Sequence, residues 1–193
     1  NFTSEKGGLK HIYTPTLTFN QTLLVGIEGE IDKQKEISVI ESAAEQCVRV
    51  GAGKILWLDF GKESKLSWMG SMIAQKMLRA SYKFKHESKK ESKAPFEVIY
   101  WVKDQINITP AQSGLNFGAA VGAGLNVAKK LGDLPANICT PSYLADFAKN
   151  MAEGSSILKS IILNANDMER LKMNALLSVC LLYTSPSPRD QLQ

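Results

Sequence analysis

Histidine and cysteine, the side chains that most often hold metals or act as nucleophiles, are scarce in this chain. Only His11 and His86 occur, and neither has a partner at the spacing of a histidine-based zinc site. A Ser-His-Asp site would have to recruit one of them, and no GxSxG turn accompanies either. The three cysteines, Cys47, Cys139 and Cys180, are odd in number and widely separated, with no CxxC pair. That pattern excludes a disulfide framework and suits a reducing, cytoplasmic setting. No apolar run approaches the ~20 residues of a membrane helix, so no membrane partner is expected. The opening Asn1-Phe2-Thr3-Ser4 has neither an initiator Met nor an apolar leader, which reads as a truncated start.

Charge of one sign is also in short supply. The chain carries 23 basic and 19 acidic residues, a net charge of +4. So mild an excess does not point to a nucleic-acid partner. The most basic stretch, Tyr82 to Lys93, interleaves Lys83, Lys85, Lys89, Lys90 and Lys93 with Glu87 and Glu91. Mixed signs weaken any field, and the stretch reads as a solvated loop.

What is present is a globular composition, 44% hydrophobic over 193 residues, enough for one domain and part of another. Thr22–Ile27, Lys54–Phe60 and Phe96–Val102 read as short buried strands. Between them, Ile37, Ile40, Ala44, Cys47 and Val48, and then Leu66, Met69, Ile73, Met77 and Ala80, recur at helical spacing. Gly51 stands where a helix-terminating glycine belongs. This β-α-β-α-β order predicts an α/β fold with a mostly parallel sheet.

Thr109-Pro110-Ala111-Gln112 is a helix start, with Thr109 as cap, and the helix runs to Leu131. Gly114, Gly118 and Gly122 share one face of it, which predicts close packing of another backbone there. Thr140-Pro141 opens a further helix ended by Gly154, Ile157–Leu163 is a strand candidate, and a short helix begins at Asn166-Asp167.

Motifs for ligand chemistry are weak. Gly51-Ala52-Gly53-Lys54 lacks the spacing of a phosphate loop and places Ile55 where a hydroxyl is needed. Gly122-Ala123-Gly124 falls inside a helix. Asp133, Asp146, Asp167 and Glu169 could each ligate a metal, but duller roles in turns, first turns and exposed faces account for them. No catalytic, cofactor-binding or metal-binding residue is assigned.

From Tyr82 onward the order of signals resembles the leucyl aminopeptidases, the cytosolic di-metal exopeptidases, with the bacterial aminopeptidase A branch nearest. The residues that carry it are Tyr82-Lys83-Phe84 before the basic loop, then Gly114, Gly118, Ala119, Gly122, Asn126, Ala128 and Leu131. Next come Leu134-Pro135-Ala136-Asn137, Thr140-Pro141 and Leu144-Ala145, the most specific group. Asp167-Met168, Leu171, Met173, Ala175-Leu176-Leu177 and Val179 complete it. The resemblance covers residues 20 to 180 and is strongest over 114 to 180.

The resemblance implies an enzyme that removes amino-terminal residues from peptides, leucine and similar apolar ones preferred. It implies two divalent ions, manganese or zinc, and a homo-hexamer when complete. It divides the chain into a partial amino-terminal α/β domain (1–108), an interdomain helix (109–132), an incomplete catalytic domain (133–180) and an unrelated tail (181–193). The family's Gly-Ser-rich continuation toward its metal-binding segments is replaced from Leu181 by Leu-Leu-Tyr-Thr-Ser-Pro-Ser-Pro. The chain is therefore expected to be inactive alone, with Ile157, Ile161, Ile162 and Leu163 left uncovered. Two other readings stand beside it. Residues 1–105 could form a free-standing nucleotide-binding module, with a phosphate loop at Gly26–Glu30 or Gly61–Ser64. The small-residue helix could instead build a non-catalytic assembly piece.

Overall fold

The computed structural model describes residues 9–13, 21–25, 32–58, 65–84, 96–103 and 107–182. They form two compact units divided between Asp133 and Leu134. The first unit holds β1 (Leu9–Tyr13), β2 (Gln21–Val25), α1 (Lys33–Arg49), β3 (Lys54–Leu58), α2 (Leu66–Ser81), β4 (Glu97–Trp101) and α3 (Ile108–Asp133). The second holds α4 (Pro141–Glu153), α5 (Ala165–Arg170) and α6 (Asn174–Leu182).

Local chemistry sets the ends of α1. Asp32 caps it, its carboxylate accepting the Lys35 N–H at 2.8 Å, and Glu36 sits in the first turn where the dipole favours an acid. At the other end Gly51 takes φ 70°, a conformation that costs glycine little. The Gly51 N–H bonds the Val48 carbonyl and the Ala52 N–H the Cys47 carbonyl, at 3.1 and 3.0 Å, the paired bonds of a Schellman stop.

The chain then enters β3, which pairs in parallel with β4 in the register Ile55↔Val98 and Trp57↔Tyr100. Helix α2 makes the crossover between these strands, as a parallel pair requires. One face of this β-α-β unit forms the core. Ile40 and Ala44 of α1, Ile55 of β3, and Met69, Ile73 and Met77 of α2 are buried together, with Trp57, Val98 and Tyr100 packed against them.

Helix α3 lies along α2 in a parallel sense, with Gly114 against Ser67, Gly118 against Ser71 and Gly122 against Leu78. A β-carbon on Gly114 would come within 2.0 Å of the Ser67 carbonyl oxygen, and one on Gly118 within 2.2 Å of that of Ser71. The two backbones approach more closely than any larger residue allows. From the α2 side, a β-carbon on Gly70 would come within 2.8 Å of the Ala111 carbonyl oxygen. The glycine face expected to accept another backbone therefore accepts α2 of the same chain, which leaves it closed to the assembly role considered for it.

The α/β class is as the sequence predicts, but several details differ. Among the described residues the strands form two two-stranded sheets. The strand expected near Thr22–Ile27 pairs antiparallel with β1, in the register Leu9↔Val25, a partner from a segment where no strand was expected. Apolar runs reveal strands but not which strands they bond to. Helix α3 begins at Ile108, so Thr109 lies inside its first turn instead of capping it. Ile157–Leu163 is not a strand: extended backbone becomes one only when a neighbouring ladder accepts its N–H and C=O groups, and none does among the described residues. Helix α6 carries helical backbone to Leu182, two residues beyond Cys180. Residues 183–193 of the expected tail lie outside the described part.

Candidate functional site

Among the described residues of the first unit, two places stand out for their ionisable side chains. One is a shallow cavity of ≈ 200 Å³ lined by Glu41, Glu45, Lys76, Arg79, Ala80 and Lys129. Glu41 follows the buried Ile40 on α1, so its carboxylate is carried to the rim of the α1–α2 contact. There it accepts from the Lys76 ammonium at 3.1 Å and the Arg79 guanidinium at 2.7 Å. Lys76 is the most enclosed of the three, its side chain only 14% exposed. A charge held there needs its partner, because removing one member of such a pair strands the other in a poorly solvated place. A second tie, Lys65 to Glu36 at 2.9 Å, joins the same two helices near their starts. Both cations facing Glu41 are committed to it. Among the lining side chains Glu41, Lys76 and Arg79 are tied to one another, so the cavity's main visible role is to join the helices.

The other place is the far end of the α2–α3 contact. Tyr82, extended just past α2, donates its hydroxyl to the Asp133 carboxylate at 2.7 Å. The Lys129 ammonium lies over the Tyr82 ring, 5.1 Å from its centre. Partial burial, and then the Asp133 carboxylate, push the Tyr82 phenol up to about 12. Burial likewise pushes up the Cys47 thiol, which marks it as core packing and not a reactive thiolate.

In the second unit, the passage Leu134–Leu144 forms a tight corner. The Ile138 and Cys139 N–H groups both bond the Pro135 carbonyl at 2.9 Å, and the Thr140 N–H bonds that of Ile138 at 2.8 Å. The Thr140 hydroxyl then accepts the Tyr143 N–H at 3.2 Å, and Pro141 occupies the first turn of α4, the cap and proline start read from the sequence.

Three of the four carboxylates weighed as ligands have other partners. Asp133 holds Tyr82. Asp146 faces Lys149 at 3.7 Å on an exposed surface. Asp167 accepts the Asn164 N–H at 3.1 Å while Asn164 accepts the Asp167 N–H at 3.0 Å, a capping box, and Asp167 also pairs with Arg170. Glu169 is exposed. Among the described residues no group of three or more His, Cys, Asp or Glu side chains converges. Gly51–Lys54 is a helix-to-strand turn whose Lys54 pairs with Glu97 at 3.1 Å. His86, the basic loop beyond Phe84, and the possible phosphate loops Gly26–Glu30 and Gly61–Ser64 lie outside the described residues, as does the His11 side chain. The Glu41–Lys76–Arg79 tie and the Tyr82–Asp133 bond were not read from sequence, since their partners are remote along the chain.

Residues 126–185 match the profile described as the cytosol aminopeptidase family, catalytic domain. The chain is 34% identical over 189 residues to a probable cytosol aminopeptidase of Nitrosococcus oceani, covering 93% of this chain and 38% of that protein. A probable cytosol aminopeptidase of Alkalilimnicola ehrlichii is 34% identical over 161 residues, 80% of this chain and 32% of that one. One from Saccharophagus degradans is 40% identical over 116 residues, 59% of this chain and 23% of that protein. The chain thus spans well under half the length of the curated relatives it matches.

Proposed function

We propose, starting from a chain that belongs to the cytosol aminopeptidase family, that the whole protein is a metal-dependent aminopeptidase releasing amino-terminal residues from peptides. Leucine and similar apolar residues are its preferred targets, and it works in the cytoplasm as a homo-hexamer. The observation that carries this reading is the catalytic-domain match over residues 126–185, which begins within α3 and takes in the Leu134–Leu144 corner.

Two divalent ions, manganese or zinc, belong to this reading. When bound, such ions polarise a scissile carbonyl and supply a hydroxide-like nucleophile at neutral pH. The side chains described here do not fit them. Asp133, Asp146 and Asp167 are committed to other contacts, and no donor cluster forms among the described residues. On this reading the chain contributes an α/β unit, a connecting helix and the opening of the catalytic domain, and it is expected to be inactive alone.

The test is leucine-p-nitroanilide hydrolysis with added Mn²⁺. This chain should release no nitroaniline above the metal-only background, while a reading frame carrying the rest of the catalytic domain should release it steadily. Turnover by the short chain would refute the assignment of the reacting centre to other parts of the protein. Silence of the extended frame would refute the activity itself.

A further inference from the structure

The face of α3 that packs on α2 changes character along its length. Up to Gly122 it is made of Ala111, Gly114, Gly118 and Gly122, all buried, and steric fit holds it. Beyond Gly122 the same face continues with Asn126, Lys129 and Asp133, and polar contacts replace the close backbone approach. The Asn126 amide donates to the Leu78 carbonyl at 3.0 Å. Lys129 sits over the Tyr82 ring, and Asp133 accepts the Tyr82 hydroxyl. Helix α2 ends at Ser81, so Tyr82 is its last reach toward α3.

Asp133 is also in an unfavourable position for an acid. It is the last residue of α3, where the carbonyl end of the helix repels a carboxylate and where Lys129 and Lys130 are the suited neighbours. A carboxylate at that end stabilises the helix only if a specific donor outweighs the repulsion, and the Tyr82 hydroxyl is such a donor.

We infer that Tyr82 is a latch on the last two turns of α3, its hydroxyl holding Asp133 and its ring seating Lys129, so that these turns open as a unit separate from the glycine-packed part of the helix. The first unit ends at Asp133, so the latch decides how far the ordered helix extends before the Leu134–Thr140 corner. This inference stands on the geometry of the first unit and does not depend on the proposed activity.

Amide hydrogen exchange on the whole chain tests it with two variants. Tyr82→Phe keeps the ring and removes the hydroxyl. It should speed exchange of the amides of residues 130–133 by about 5–10-fold, the loss of one charge-assisted bond at a partly solvated site, and leave those of 114–122 unchanged. Asp133→Ala gives a test of sign. Without a latch, replacing a terminal acid by alanine should slow exchange in the last turn, because it removes the dipole repulsion and improves propensity. With the latch, exchange there should quicken. Unchanged rates at 130–133 in Tyr82→Phe, an equal acceleration through 114–122, or slower exchange in Asp133→Ala would each overturn the inference.

Discussion

In the first unit Ile40, Ile73 and Met77 are enclosed between helices and a parallel ladder, whereas in the second Ile157 and Ile161 are 87% and 86% exposed. The two regions have similarly apolar sequences, and their helices are similarly well begun: α1 by Asp32, α4 by Thr140 and Pro141, α5 by a capping box. What separates them is partners. Helices α1 and α2 and strand β3 bring three apolar faces together. In the second unit no described residue of α4, α5 or the Ile157–Leu163 stretch is buried. Capping and propensity are thus sufficient to draw an element but not to bury it. Each large apolar side chain left in water forgoes roughly 1.5–3 kcal/mol, and most helical stability in proteins comes from packing of an apolar face.

The sharpest way to break this contrast is to remove a core side chain. Ile73→Ala should destabilise the first unit by about 2–5 kcal/mol, read as a shifted urea midpoint, while Ile161→Ala in the second unit should leave that midpoint in place. Equal effects would mean that the exposed stretch is packed in solution.

Next in size are two glycines of one helix. Gly118→Ala places a methyl group against the Ser71 carbonyl and should cost about 1–3 kcal/mol by overpacking. Gly124, on the same helix, has nothing within 4 Å of an added β-carbon. There the same substitution should stabilise by about 0.5–1 kcal/mol through helix propensity. The two urea midpoints should therefore move in opposite directions.

The smallest effect lies in the second unit. Lys172 ends α5 at φ 57°, with its N–H on the Glu169 carbonyl and that of Met173 on the Met168 carbonyl. This is the stop Gly51 makes for α1, built without glycine. Lys172→Gly should strengthen α5 by about 0.5–1 kcal/mol, seen as slower exchange of the Leu171 and Met173 amides.

Features governed by near neighbours were legible in the sequence. Gly51, Thr140-Pro141, Gly154 and the periodicity of α1 and α2 each act within a turn or two, and their elements lie where the spacing placed them. The glycine face of α3 announced a close contact, yet nothing local named Ser67 and Ser71 as its counterpart. Pairing was the hidden layer in the sheets as well: β2 bonds β1, and Ile157–Leu163 bonds no strand among the described residues. The same holds for the ionic contacts. Glu41 and its partners Lys76 and Arg79 sit on different helices, and Tyr82 meets Asp133 across 51 positions. Each was a solvated charge or a loop aromatic until the fold brought the helices alongside. For the carboxylates the reverse was true, because the partners of Asp146 and Asp167 lie within three residues, and the sequence already placed Asp146 on an exposed helix face and Asp167 in a helix's first turn.

The most direct test is a Mn²⁺ titration of the purified chain, with the free ion followed by electron paramagnetic resonance. If, as proposed, the reacting centre belongs to other parts of the protein, the free-ion signal should rise in proportion to added metal, as in a buffer blank. Saturable uptake of two ions per chain, abolished by replacing carboxylates present here, would contradict the account.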